Sequence, residues 1–128
     1  MPEEPTRLFV YGTLKRGGVR AYLLDGQQFL GAVHTPADYR LFNTGSYPAL
    51  VEAAVLSLPG RSIRGELWEI DRDCLARLDE EEGVDEGLYE RRGIALSNDF
   101  TAWAYLYLQP TDGLEDCGDC WPVQQSNA

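Results

Sequence analysis

One stretch of this chain reads as a full helix, and it is bracketed at both ends. Asp71 precedes it as an N-cap residue, able to accept from the unpaired N–H groups of the first turn. Ile70 and Leu75 can close a hydrophobic staple across that cap. Gly83 follows it and suits the left-handed turn that ends many helices. The predicted helix therefore covers Asp71–Glu82. Around it, the sequence consists of short apolar runs cut by glycine, proline and asparagine, which is the pattern of strands and tight turns.

The first strand is Arg7–Tyr11, broken at Gly12, with a turn at Gly17-Gly18 and a short helical turn over Ala21–Leu24. Gln28–His34 and Asp38–Phe42 are the next strands, the latter ended by Asn43-Thr44-Gly45-Ser46. Ala49–Leu56 is apolar enough for a buried strand, and Pro59-Gly60 marks a turn. Ile63–Ile70 alternates with Leu67 on one face and Trp68 and Ile70 on the other, so both faces are expected to be partly covered. Leu88–Leu96 and Thr101–Leu108 close the set, joined by a turn at Ser97-Asn98-Asp99. About six or seven strands and one helix predict an α+β fold, a small mixed β-barrel with short helices at its side. With 128 residues and 44% hydrophobic content, one core is expected. The domain is placed at residues 1–109 and a polar, weakly ordered tail at 110–128.

Several functions are disfavoured at once. The net charge of −10 argues against nucleic acid or an anionic membrane surface as the main partner. No run approaches the roughly 20 apolar residues that span a bilayer. The acidic start lacks the form of a signal peptide, and the three cysteines, Cys74, Cys117 and Cys120, fit a reduced compartment. A cytoplasmic monomer is the expectation. His34 is the sole histidine, near a strand end, and no nucleophile elbow accompanies it. Cys117 and Cys120 form a CxxC without a second pair, so no metal site is predicted. No P-loop or dinucleotide fingerprint occurs, and no cofactor is expected.

What remains is a carboxylate and a glycine loop. Asp79-Glu80-Glu81-Glu82 would ordinarily be a solvated face. At about 100° per residue, however, Glu82 falls on the stripe of Leu75 and Leu78, whereas Glu80 and Glu81 point away. If the helix holds to its end, Glu82 docks on the sheet, and burial, neighbouring charge and the helix dipole all raise its pKa toward general acid–base use. If the helix frays, Glu82 is simply solvated; phase alone leaves both readings open. Gly12, just after a strand, permits a close backbone approach to a ligand, or is an ordinary strand-ending turn.

Taken together, Phe9–Gly17 (FVYGTLKRG), Gly65–Ile70 (GELWEI), Leu78–Gly83 (LDEEEG) and Leu88–Arg92 (LYERR) resemble the γ-glutamyl cyclotransferase-like family, which includes γ-glutamylamine cyclotransferases and AIG2-like proteins. The resemblance spans roughly Arg7 to Leu108 and leaves the tail after Gln109 unmatched. It implies that Glu82 is the catalytic glutamate, that Tyr11, Gly12, Thr13 and Leu14 hold the γ-glutamyl part of the substrate, and that Tyr89 is an aromatic position at the cavity. Asp79 reads as structural support in the same motif, and Tyr47-Pro48-Ala49 matches a further segment. The implied reaction closes the substrate's own α-amine onto its γ-carbonyl, giving 5-oxoproline and an amine, without metal or cofactor. A non-catalytic module that binds a small carboxylate is the alternative. An interaction protein working through its acidic surface, and an acyl transferase delivering to another amine, are further rivals.

Overall fold

The computed structural model describes residues 6–45, 47–97 and 100–121. Five strands form one sheet: β1 (Thr6–Val10), β2 (Gln28–His34), β5 (Arg64–Ile70), β6 (Tyr89–Ala95) and β7 (Thr101–Tyr107). Their order is β2-β5-β1-β7-β6, with β1 antiparallel to β5 and parallel to β7. A second sheet has the order β4-β3-β8, from β3 (Tyr39–Asn43), β4 (Pro48–Glu52) and β8 (Glu115–Asp116). The helix α1 is Arg72–Glu81, and short 3-10 turns occur at Ala21–Leu24 and Ala53–Leu56.

The central position of β1 explains its unbroken apolar run. Strand alternation sends Phe9 and Tyr11 to one face and Leu8 and Val10 to the other. The first pair joins Leu41, Leu50, Ile63 and Leu67 in a core between the two sheets. The second joins Trp68, Ile70, Leu78 and Tyr105 in a core beneath α1. The strand β5 serves both cores, as its pattern predicts. The molecule is thus three layers: helix, five-stranded sheet, three-stranded sheet.

Three expectations need correction. Among the described residues the sheets stay open and no ladder joins them into a barrel; Phe42 and Ala49 of the smaller sheet instead meet Tyr107 of β7 through side chains. The strand expected over Ala49–Leu56 stops at Glu52, where Ala53-Ala54 turns into 3-10 geometry closed by Ser57 at φ 55°. Apolarity alone does not separate a strand from a short helical turn, and alanine has little β preference. Finally, the chain from Pro110 to Trp121 does not trail away. Glu115–Asp116 pairs with β3, Cys117 N–H donates to the Leu41 carbonyl at 2.8 Å, and Cys117 is buried in the intersheet core. Ladder bonds, one buried thiol and an Arg40–Asp116 ion pair dock this segment, none of which hydrophobic periodicity reveals. Leu96 N–H bonds the Phe100 carbonyl at 2.8 Å across the β6–β7 connection; Asn98 and Asp99 of that turn, like Ser46 and residues 122–128, lie outside the described residues. No described helix is long and apolar enough to cross a membrane.

Candidate active site

The C-terminus of α1 is built as a closed motif. Val84 N–H donates to the Asp79 carbonyl and Gly83 N–H to the Glu80 carbonyl, both at 3.1 Å, with Gly83 at φ 68°. These are the two bonds of a Schellman cap, and they need a residue that tolerates positive φ at Gly83. Glu82 is the C-cap residue itself and bonds back to the Leu78 carbonyl at 2.9 Å. The helix therefore does not fray before Glu82, whose side chain is turned inward and only 7% exposed. At the other end, Asp71 accepts from Cys74 N–H at 2.8 Å, as its capping role predicts.

Opposite this helix end, β1 runs into the turn at Gly12. Glycine is required there by packing: a Cβ would lie 2.3 Å from Pro48 Cγ. The turn continues with Lys15 N–H to the Gly12 carbonyl at 3.0 Å and Arg20 N–H to the Thr13 carbonyl at 2.9 Å. Among the described residues, the backbone N–H groups of Gly12, Thr13 and Leu14 make no hydrogen bond. Three successive uncommitted donors can serve a carboxylate or a developing oxyanion.

Glu82 and this turn share one cavity. Tyr11, Gly12, Thr13, Leu14 and Tyr89, the positions singled out from the sequence, all line it, together with Tyr47 and Pro48. The aromatic wall is fixed by its hydroxyls. Tyr11 donates to the Tyr105 carbonyl, and Tyr89 donates to the Pro48 carbonyl at 2.6 Å. Burial raises the pKa of both phenols, and the charge of Glu82 adds to that shift. They are neutral donors throughout the ordinary pH range.

Two polar lining residues are not signalled by the sequence, Arg20 and Tyr105. Arg20 places Nη2 2.9 Å from Glu82 Oε1 and Nε 2.9 Å from Thr13 Oγ1. Burial raises the pKa of Glu82, the Arg20 charge and hydrogen bond pull it back, and Glu81 adds a smaller upward push; the net shift is upward. The sequence carries no periodic signal for a pair separated by sixty-two positions. Tyr105 reads as a core aromatic and is buried, yet it also forms cavity wall. Its hydroxyl donates to Asp79 Oδ1 at 2.8 Å, and Asp79 pairs with Arg91 at 3.3 Å. Asp79 thus braces the wall behind Glu82. Trp103 of β7 is 38% exposed beneath the Arg91 guanidinium. His34 is exposed on β2. Among the described residues no group of His, Cys, Asp and Glu is placed to hold a metal ion.

The family model described as γ-glutamyl cyclotransferase, AIG2-like, matches residues 8–122, which includes the docked β8 segment. A Vibrio cholerae protein carrying the γ-glutamylcyclotransferase name is 36% identical over 115 residues, 88% of this chain and 92% of that protein. The γ-glutamylaminecyclotransferase of Bos taurus is 40% identical over 91 residues, 66% of this chain and 52% of that protein. An AIG2-like protein from Mus musculus, solved by crystallography, superposes with TM-score 0.77 at 23% identity, covering 97% of this chain and 92% of that one. That last likeness is one of fold.

Proposed function

The chain belongs to the γ-glutamyl cyclotransferase, AIG2-like family, and from that premise we propose that it cyclises a γ-glutamyl amide to 5-oxoproline, with Glu82 as base and then acid. The observation that carries this reading is the placement of Glu82: a buried carboxylate of raised pKa, locked at a helix C-cap, facing a turn of uncommitted backbone donors across one cavity.

The chemistry follows from those parts. The α-ammonium of the substrate gives one proton to the Glu82 carboxylate. The freed amine attacks the γ-carbonyl carbon, forming the C–N bond of a five-membered ring. Charge gathers on the carbonyl oxygen, where N–H groups of the Gly12–Leu14 turn stabilise it. As the C–N bond to the leaving group breaks, protonated Glu82 returns its proton to the departing nitrogen, and the ring nitrogen gives its second proton to the regenerated Glu82 carboxylate, which passes it on to the amine as that leaves. The products are 5-oxoproline and a free amine. Holding the flexible glutamyl chain folded supplies much of the acceleration, because nucleophile and electrophile are already in one molecule. The Tyr47, Tyr89 and Tyr105 wall is suited to that confinement.

The leaving amine is a simple amine, an amino acid or a larger biosynthetic group; the name of the bovine relative supports the first. A panel of γ-glutamylamines and γ-glutamyl amino acids, with products identified by mass spectrometry, tests the reaction. Release of 5-oxoproline with one equivalent of amine is expected. A new amide in place of 5-oxoproline, or binding without any product across the panel, would overturn it.

A further inference from the structure

We infer that Arg20 recognises the α-carboxylate of the γ-glutamyl unit, so that Glu82 and Arg20 together read the zwitterionic α-amino acid end of the substrate. The inference rests on the cyclotransferase reading for the identity of the substrate.

Three basic residues follow Gly12 in the same loop. Lys15 donates to the Trp121 carbonyl. Arg16 is tied to Glu66 and stacks 3.6 Å from the centre of the Phe29 ring. Arg20 is the one of the three that lines the cavity. It stands nearer the opening than its partner, with side-chain exposure of 24% against 8% for Glu82. Its backbone N–H and its Nε both bond Thr13, each at 2.9 Å, so the guanidinium is aimed by the loop. One Nη2 hydrogen meets Glu82, and among the described residues Nη1 has no hydrogen-bond partner.

The charge pattern fits one kind of ligand. The site presents one carboxylate and one guanidinium in contact at 2.9 Å. An α-amino acid end presents one ammonium and one carboxylate on a single carbon. When the ammonium reaches Glu82, as the base mechanism requires, the carboxylate on the same carbon falls beside Arg20. A guanidinium offers a planar fork matched to a carboxylate. The two anionic positions of the reaction then have separate donors: Arg20 for the α-carboxylate and the Gly12–Leu14 turn for the oxyanion.

The test uses a γ-glutamyl alkylamide and the matching 4-aminobutanoyl alkylamide, which lacks only the carboxylate and would cyclise to 2-pyrrolidinone. Both are assayed with wild type, Arg20→Gln and Arg20→Lys, after circular dichroism shows that each variant folds. Wild type is expected to prefer the carboxylate-bearing amide by on the order of 100-fold in kcat/KM, the scale of one charged hydrogen-bonded contact. Arg20→Gln should lose that preference, chiefly through KM, and Arg20→Lys should restore part of it. An equal loss on both amides, with the preference intact, overturns the assignment. Calorimetric binding of the same two amides, in Glu82→Gln and in Glu82→Gln with Arg20→Gln, needs no turnover. A preference present in the first protein and absent from the second supports Arg20 even if no amide is cyclised; equal binding of both amides to the first protein overturns it.

Discussion

Two buried glutamates are held by two arginines of one loop, and the difference between them separates structure from chemistry. Glu66, 9% exposed, accepts from Arg16 N–H at 2.9 Å, from Arg16 Nε at 3.2 Å and from Trp68 Nε1 at 3.2 Å. Both of its oxygens are engaged. Glu82, 7% exposed, accepts from Arg20 at one oxygen and otherwise faces the cavity. Burial without saturating partners is what lifts a carboxylate toward protonation, and Glu82 shows that lift. Glu66 therefore braces the loop against β5, and Glu82 is left with capacity for a ligand. Burial of an acid marks a reactive group only when its partners are too few.

Six substitutions sharpen or break this contrast. The largest stability effect is expected at Glu66→Ala, which leaves the buried Trp68 indole N–H and the Arg16 backbone N–H without their acceptor and should cost about 2–3 kcal/mol by urea denaturation. Glu82→Gln should cost nothing by the same measure at neutral pH. The sign follows from its raised pKa. The fold favours protonated Glu82, so that contribution is present at low pH and is lost as pH rises through the folded-state value. A neutral glutamine does not suffer this loss. If Glu82→Gln destabilised more than Glu66→Ala, the contrast would be reversed.

Gly12→Ala is next. The new methyl would meet the Pro48 ring, and overpacking of this kind costs about 1–3 kcal/mol. It should also raise KM on the folded protein, because the turn itself moves. Gly83→Ala forces positive φ on a residue with a Cβ, at a cost of about 1 kcal/mol; it should lower kcat more than KM by loosening Glu82 at its cap. The finest test is the acid limb of kcat/KM against pH. It should lie above the ordinary carboxylate range and move further upward in Arg20→Gln, since Arg20 opposes the rise. The corresponding change at the Glu66 brace, Arg16→Gln, should leave the limb in place.

Much of this arrangement is legible in the sequence alone. The caps at Asp71 and Gly83 bounded α1, and helical phase placed Glu82 on its inward stripe, because both are local rules read over a few residues. The apolar run of β1 and the two-sided pattern of β5 marked the centre of a covered sheet. Four contiguous motifs carried the family resemblance. What escaped depends on distant partners. Arg20 sits in a glycine-rich loop with nothing in its neighbourhood to announce Glu82. Tyr105 fits a core pattern equally well whether or not its edge meets a cavity. The docking of Glu115–Asp116 on β3 is backbone pairing by polar side chains, to which hydrophobicity is blind. The openness of the sheets depends on which strands exchange ladder bonds, a property no single strand displays.

The most direct measurement is 5-oxoproline release by Glu82→Gln beside wild type, with both shown to be folded, on the best substrate of the γ-glutamyl panel. General acid–base removal predicts a fall in kcat of about 10²–10⁴-fold with the fold intact. Equal release by the two proteins would contradict the assignment of Glu82 as the proton carrier.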